Sequence, residues 1–151
     1  MWLKTLFIGL LLSLIFISPA PLQAAPPTDF QTTQIIGSGL TNPTGFEIAP
    51  DGRIFVLQQN GVVRIYKNGQ LLATPFTTVP VSPAGGDLGL LGIAFDPQFA
   101  ANHYVYFYYT STNGINSVAR YNATNDTVSD GPFVLYESAV EAQQFHAGGT
   151  I

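Results

Sequence analysis

Apolar and polar positions between residues 40 and 140 alternate in the manner of short β-strands separated by tight turns. Short apolar runs are divided by Asp-Gly and Asn-Gly dipeptides, which supply the positive φ angles that hairpin turns require. These dipeptides occur at 51–52, 60–61, 68–69, 113–114 and 130–131. The spacing therefore predicts consecutive antiparallel strands rather than helices.

The predicted strands form two groups of four. The first group covers 44–48, 53–59, 62–67 and 70–76, and the second covers 89–95, 104–110, 116–122 and 132–137. The groups are also alike in sequence, because an offset of 47 positions places Gly45 on Gly92 and Pro50 on Pro97. A repeat of about 40 to 50 residues with four strands is the size of a β-propeller blade. We expect an all-β propeller fold with two blades, at about 39–78 and 86–138.

The last six residues resemble the beginning of a third copy. In HAGGTI, at 146–151, Gly149 takes the place of Gly45. Propeller blades bury their faces against neighbouring blades, so two blades alone would leave open faces. We therefore expect residues 35–151 to be the N-terminal part of a longer propeller that is truncated here. Produced alone, residues 26–151 are expected to aggregate or to be only partly ordered.

Residues 1–25 have the pattern of a secretory signal peptide. A lysine precedes an apolar run at 6–17, and prolines and small residues follow. The alternative is a membrane anchor, but the apolar run is shorter than the roughly 20 residues of a spanning helix. We expect cleavage near Ala24 or Ala25, a short linker at 26–34, and a secreted or periplasmic mature chain.

Composition and charge exclude several classes of function. The net charge of −4 arises from nine acidic and five basic residues, so no basic stripe is available for a nucleic-acid backbone. Cysteine is absent, which excludes disulfides and thiolate metal sites. The sequence also lacks a phosphate-binding loop, His/Glu zinc spacing and a serine nucleophile elbow. These features predict a globular β protein without a nucleic-acid partner.

Two stretches carry a resemblance to a known family: GLTNPTGFEIAPDGRIFVLQQNGVVRIYKNG and GGDLGLLGIAFDPQFAANHYVYFYYT. They resemble the opening of soluble quinoprotein sugar dehydrogenases, the glucose/sorbosone dehydrogenase family. The segment from Asp87 to Phe99 is the most specific part. The resemblance implies a six-bladed propeller that carries pyrroloquinoline quinone (PQQ), usually with calcium, and oxidises an aldose at its anomeric carbon. It also implies an electron acceptor as partner, and cofactor ligands that lie mostly outside this chain.

His146 is the candidate catalytic residue. In the resembled family, a histidine in a His-x-Gly-Gly-like context removes the hydroxyl proton while hydride passes to the quinone, and FHAGG places His146 at that position. An imidazole with an ordinary pKa of about 6.5 can accept a proton near neutral pH. The alternative interpretation is an ordinary polar residue.

Asp87 is the candidate substrate-binding residue. Members of the family usually carry Gln or another polar residue at this position, where it can contact substrate or quinone, so Asp departs from the pattern. An anion beside a quinone opposes the negative charge that develops there, unless a cation lies nearby. The alternative interpretation of Asp87 is a turn residue before a strand.

Two functions from different classes remain open at this point. One is a secreted sugar dehydrogenase, of which this chain by itself would be inactive. The other is a secreted propeller without quinone that binds carbohydrate or protein, because a fold does not determine its function. A propeller lactonase would need metal ligands that these residues do not place. The tyrosines at 104, 106 and 108 are predicted to pack between blades, and Gln58 and Gln59 to satisfy backbone groups.

Overall fold

The computed structural model describes residues 27–82, 85–145 and 147–151. The predicted signal peptide at 1–25 lies outside the described residues. Of the two units into which the chain divides, Gln34–Ile151 contains all the regular elements. They are β1 (Pro43–Ile48), β2 (Ile54–Gln58), β3 (Val62–Lys67), β4 (Gln70–Leu71), β5 (Thr77–Thr78), β6 (Leu90–Phe95), α1 (Phe99–Asn102), β7 (Tyr104–Thr110), β8 (Ile115–Asn122) and β9 (Asp130–Glu141).

The strands form two antiparallel sheets. In the first, β1, β2, β3 and β4 are neighbours in sequence order and β5 also pairs with β3, whereas the second runs β6, β7, β8, β9. This confirms the prediction of an all-β fold with two antiparallel sheets, of which the second has four strands and the first has five. The bounds of β3 and β7 agree with those predicted from the sequence. The blade boundaries and the start of a third blade at 146–151 stay predictions.

The outer strand of the first sheet was predicted as one strand at 70–76, and that is wrong. It consists of two short pieces, β4 and β5, which both pair with β3. Between them, the amides of Leu72 and Phe76 still donate to carbonyls of β3 at 2.8 Å, and residues 73–75 leave the sheet. Pro75 has no amide hydrogen to donate, so the strand cannot pass through this position with its ladder intact.

The sequence repeat extends to an irregularity of the backbone. The pairing of β1 with β2 shifts register between Pro43 and Gly45, and the pairing of β6 with β7 shifts between Leu90 and Gly92. These two positions are separated by the same offset as the sequence repeat. The two copies therefore share a β-bulge near the start of their first strands.

Aromatic side chains fill the core between the sheets. Phe55 and Phe76 of the first sheet meet edge to face at 5.1 Å between ring centroids, and Phe107 of the second sheet lies 6.4 Å from Phe76. Along β7, the residues that alternate with the tyrosines at 104, 106 and 108 are buried, and these tyrosines are half-buried on the opposite face. One face of the second sheet thus packs on the first.

A buried arginine joins the sheets at the end of β1 that carries the β1–β2 turn. Arg53 is only 4% exposed, and its guanidinium donates to the carbonyl oxygens of Ala123 at 2.6 Å and of Asn125 at 2.7 Å, both beyond the end of β8. It also donates to the carboxylate of Asp51, at 2.7 and 2.9 Å. Each of its nitrogens therefore has a partner, which removes most of the cost of burying the charge.

Candidate functional site

A cleft of about 380 Å³ lies where the first strands of the two sheets begin. β1 and β6 are in contact there, and residues that follow β9 complete the wall of the cleft. The lining residues come from the loops before β1 and β6, from the first residues of these strands, from the residue after β2 and from the last residues of the chain. They are Asn42, Pro43, Thr44, Gln59, Gly86, Asp87, Leu91, Ala147 and Gly148.

The cleft is formed by equivalent positions of the sequence repeat. Thr44 and Leu91 precede the glycines that align in the two copies, and Gly148 precedes the glycine that aligns in the proposed third copy. All three residues line the cleft. Equivalent segments of successive copies therefore converge here, as expected for strands arranged around a common axis.

Hydrogen bonds between the copies hold the floor of the cleft. The Thr44 hydroxyl donates to the carbonyl of Leu90 at 2.7 Å. The side-chain amide of Gln59 donates to the carbonyls of Gly86 at 2.7 Å and Leu88 at 3.0 Å. These bonds tie the first sheet to the loop that carries Asp87.

The two glutamines follow their sequence prediction. Gln59 uses its amide on backbone carbonyls, as described above, and the side-chain oxygen of Gln58 accepts a hydrogen bond from the amide of Thr41 at 2.5 Å. Gln58 is buried and Gln59 is half-buried. Both side chains therefore satisfy backbone groups, and Gln59 also contributes to the cleft wall.

Asp87 lies exposed in the cleft, in the loop before β6. Its amide donates to the carbonyl of Gln144 at 2.9 Å. The preceding Gly86 has φ +78° and sits directly against that carbonyl, where a β-carbon would clash. Gly86 is thus required by a close approach and a positive φ together, and it places Asp87 beside Gln144.

The first copy shows that the turn itself does not require an aspartate. Gly39, with φ +86°, is the repeat equivalent of Gly86, and Leu40 is the equivalent of Asp87. The positive φ of the glycine therefore occurs with an apolar residue at the next position. Leu40 lines an apolar groove instead of the cleft, which weakens the interpretation of Asp87 as a turn residue alone.

His146 lies outside the described residues, so its place relative to Asp87 stays a prediction. The residues that follow it in sequence are described: Ala147 is buried, and both Ala147 and Gly148 line the cleft together with Asp87. Tyr108 of β7 donates its hydroxyl to the carbonyl of Ala147 at 2.5 Å. Sequence reasoning did not single out Thr44 or Tyr108 as site residues.

A family comparison decides the relationship of the chain. The model of the glucose/sorbosone dehydrogenase family matches residues 40–151. The chain belongs to this family. The matched range includes both sheets and every residue that lines the cleft.

Other members of the glucose/sorbosone dehydrogenase family and solved structures agree in fold. A PQQ-bound aldose sugar dehydrogenase of Streptomyces coelicolor superimposes with a TM-score of 0.63 at 28% identity, over 76% of this chain and 35% of that one. The soluble aldose sugar dehydrogenase of Escherichia coli gives 0.58 at 23% identity, over 68% and 31%, which shows the fold alone. An uncharacterised protein of Synechocystis is 36% identical over 80 residues, which are 48% of this chain and 19% of that protein. The chain spans at most about a third of the length of these relatives.

The charges of the cleft do not match those of the quinone. PQQ carries three carboxylates, whereas the described residues that line the cleft include Asp87 and neither lysine nor arginine. Within the described ranges, no group of three or more His, Cys, Asp or Glu side chains could hold a metal ion. The described residues therefore fit a neutral polyol better than they fit the carboxylates of PQQ or a calcium ion. In the same part of the chain, no helix is long and apolar enough to cross a membrane.

Proposed function

We propose that this chain is part of a secreted or periplasmic dehydrogenase that oxidises an aldose at its anomeric carbon with PQQ as cofactor. The observation that carries the proposal is the cleft, which joins three equivalent positions of the repeat in a chain of the glucose/sorbosone dehydrogenase family. PQQ, held mostly by residues outside this chain, would supply the hydride acceptor. The role proposed for this chain is to hold the sugar and to accept the proton of its anomeric hydroxyl.

Asp87 is the proposed sugar-binding residue. Its carboxylate has two oxygens that accept hydrogen bonds, and sugar hydroxyls are donors of the matching kind. The residue is exposed and lines the cleft, and its repeat equivalent is a leucine. A hydrogen bond to a charged group contributes about 1.5–3 kcal/mol, which corresponds to roughly 10- to 100-fold in affinity.

His146 is the proposed base. It directly precedes Ala147, whose carbonyl is held by Tyr108 and which lines the cleft. A neutral imidazole at this position would take the proton of the anomeric hydroxyl, as the family resemblance implies. The ligands of PQQ and calcium are proposed to lie mostly outside this chain, since the described residues of the cleft carry no cation.

The test uses the natural protein, meaning the full protein of which this chain is part, with PQQ and Ca²⁺, an aldose and a reducible dye as electron acceptor. We expect His146→Ala to lower kcat by about 10²- to 10⁴-fold and Asp87→Asn to raise KM for the aldose by about tenfold or more. Asp130→Asn is the matched control, because Asp130 is also exposed but does not line the cleft. Absence of dye reduction at every quinone concentration would overturn the proposal.

Export is proposed separately, on the sequence of residues 1–25. The measurement is the N-terminal sequence of the protein recovered outside the cytoplasm. We expect it to begin just after Ala24 or Ala25. A recovered chain that still begins at Met1 would contradict export with cleavage.

A second candidate function is the binding of carbohydrate without oxidation. The observation that favours it is the negative charge of Asp87 in a cleft whose lining residues include no lysine or arginine. It predicts that the quinone-free protein binds a saccharide in a calorimetric titration, that Asp87→Asn weakens this binding, and that added PQQ changes neither. Quinone-dependent oxidation would exclude this alternative.

A further inference from the structure

Gly92, in β6, faces a segment of the chain, residues 147–149, that comes too close for a side chain. Its φ lies outside the left-handed region, so the backbone conformation does not call for glycine. A β-carbon built at this position would collide with the carbonyl oxygen of Gly149 and lie 3.2 Å from the β-carbon of Tyr108. Only a residue without a side chain therefore lets residues 147–149 approach β6 this closely.

The repeat provides a natural comparison at Gly45. This residue occupies the equivalent position in the first copy, and its φ also lies outside the left-handed region. A β-carbon at Gly45 would meet its nearest atoms, the Leu91 carbonyl oxygen and a methyl group of Leu57, at 3.8 and 4.0 Å. These are ordinary van der Waals distances. A methyl group fits at Gly45 and does not fit at Gly92.

Tyr108 holds the same segment from its side chain. Its hydroxyl donates to the carbonyl of Ala147 at 2.5 Å, and a β-carbon at Gly148 would lie 3.5 Å from this hydroxyl. Burial, and to a lesser degree the charge of nearby Tyr136, raises the pKa of Tyr108 above its ordinary value. The hydroxyl therefore stays protonated, and able to donate, at neutral and mildly alkaline pH.

From these contacts we propose that Gly92 and Tyr108 are positioning residues, which fix Ala147 and Gly148 in the wall of the cleft and so set the geometry in which the sugar is bound. The inference rests on the proposed function for its catalytic consequence. Neither residue touches the sugar in this proposal. Gly92 sets how near the segment lies to β6, and Tyr108 fixes the position of the Ala147 carbonyl.

The size of the effect follows from the clash. β-Carbons approach other heavy atoms no closer than 3.0 Å, so Gly92→Ala forces the Gly149 carbonyl to move by an amount on the order of 1 Å. A misplacement of about 1 Å in a catalytic site can cost about 100-fold in rate. We expect kcat/KM for the aldose to fall at least tenfold in Gly92→Ala, counted per folded molecule, and to stay within twofold of wild type in Gly45→Ala.

The experiment compares these two variants in the natural protein with PQQ and Ca²⁺, at a temperature well below the unfolding midpoint of either. Crystal structures of both variants supply a readout that does not depend on activity. In Gly92→Ala we expect residues 147–149 to be displaced from β6, and in Gly45→Ala we expect them to stay in place. Equal positions and equal kcat/KM in the two variants would overturn the proposal, as would a lower unfolding midpoint in Gly92→Ala with unchanged kcat/KM per folded molecule.

Tyr108→Phe is a second variant that tests the same positioning role and does not depend on the folding of Gly92→Ala. The matched control is Tyr106→Phe, since Tyr106 lies on the same face of β7 and its hydroxyl donates at 2.5 Å to Asp96, away from the cleft. Loss of one hydrogen bond predicts a three- to tenfold fall in kcat/KM for Tyr108→Phe and less than twofold for Tyr106→Phe. Equal effects of the two variants would refute the role of Tyr108. A wild-type protein that oxidises no aldose would refute the proposed function, and the crystal structures would still decide the positioning.

Discussion

Replacement of Arg53 by methionine is the sharpest test of what joins the two sheets. Methionine keeps much of the length of the side chain and its packing against Phe55, whose ring centroid lies 5.2 Å from the guanidinium carbon. It removes the hydrogen bonds to the carbonyls of Ala123 and Asn125 and to Asp51, and the longer contact of 3.4 Å with Asp126. Ala123, Asn125 and Asp126 follow β8 of the second sheet, so the variant cuts polar links between the sheets and leaves the aromatic core in place.

The magnitude depends on which partners water can reach. Ala123 is fully buried, so its carbonyl loses its hydrogen bond to Arg53 without a replacement, at a cost of about 1–3 kcal/mol. Asp51 keeps 40% of its side chain exposed, and Asn125 is exposed, so water replaces much of what these two partners lose. We expect Arg53→Met to lower the free energy of unfolding by about 3 kcal/mol.

The assay is urea unfolding of the natural protein followed by circular dichroism, with Lys67→Met as control. Lys67 pairs with Asp126 at 2.7 Å, but both side chains are more than a third exposed, and exposed pairs contribute about 0–1 kcal/mol. The same substitution at the two sites thus separates a buried cation from an exposed one. If Arg53→Met costs no more than Lys67→Met, the reasoning about the buried carbonyl is wrong.

Three further predictions concern the core and the pH dependence of stability. Phe76→Ala should lower the free energy of unfolding by about 3–5 kcal/mol in the same assay, because it leaves a cavity between the sheets. The control Phe133→Ala, at a residue that is 44% exposed, should lower it much less. Equal losses in the two variants would contradict the assignment of the core. Tyr121→Phe should leave stability unchanged or raise it by up to about 1 kcal/mol, since the buried hydroxyl has no hydrogen-bond partner in the part of the chain that the structure describes; a loss would indicate a partner there. Burial alone would raise the pKa of Asp51, but the hydrogen bonds and charge of Arg53 outweigh it and lower this pKa below 3.8. The ionised Asp51 carboxylate therefore stabilises the fold above that pH, and this stabilisation is lost below it. Acid titrations of the free energy of unfolding should show a smaller loss below pH 3.8 in Arg53→Met than in wild type.

Most of the fold could be predicted from local signals. Asn-Gly turns bound β3 on both sides, and the alternation along β7 is unambiguous, so both strands begin and end where the pattern places them. The outer strand at 70–76 failed because its apolar content looked continuous, although Pro75 cannot pair. The short helix α1 was not predicted, since four residues are too few to show a helical pattern; the Asp96 carboxylate accepts the amide of Gln98 at 2.8 Å before the helix begins.

The candidate site was less accessible to sequence reasoning, because its contacts join residues far apart in the chain. Thr44 bonds to a carbonyl 46 residues away, and Tyr108 to one 39 residues away. Neither a threonine nor a tyrosine indicates from the sequence that it forms a long-range hydrogen bond at the cleft. The alignment of the copies was the one signal that could have grouped part of the site, since Thr44, Leu91 and Gly148 hold the same place in it.

What the copies share therefore indicates the fold, and what distinguishes them indicates the function. Glycine recurs at 45, 92 and 149, and a glycine with positive φ recurs at 39 and 86, where the first two copies share the backbone conformation of the loop before the first strand. Side chains at the positions beside these glycines are free of that requirement. Asp87 stands where the first copy has Leu40, and the backbone accepts both. A carboxylate that lines the cleft where the first copy has leucine is a difference in side-chain chemistry between the copies, and Asp87 is therefore the first residue to change when the proposed binding of a sugar is tested.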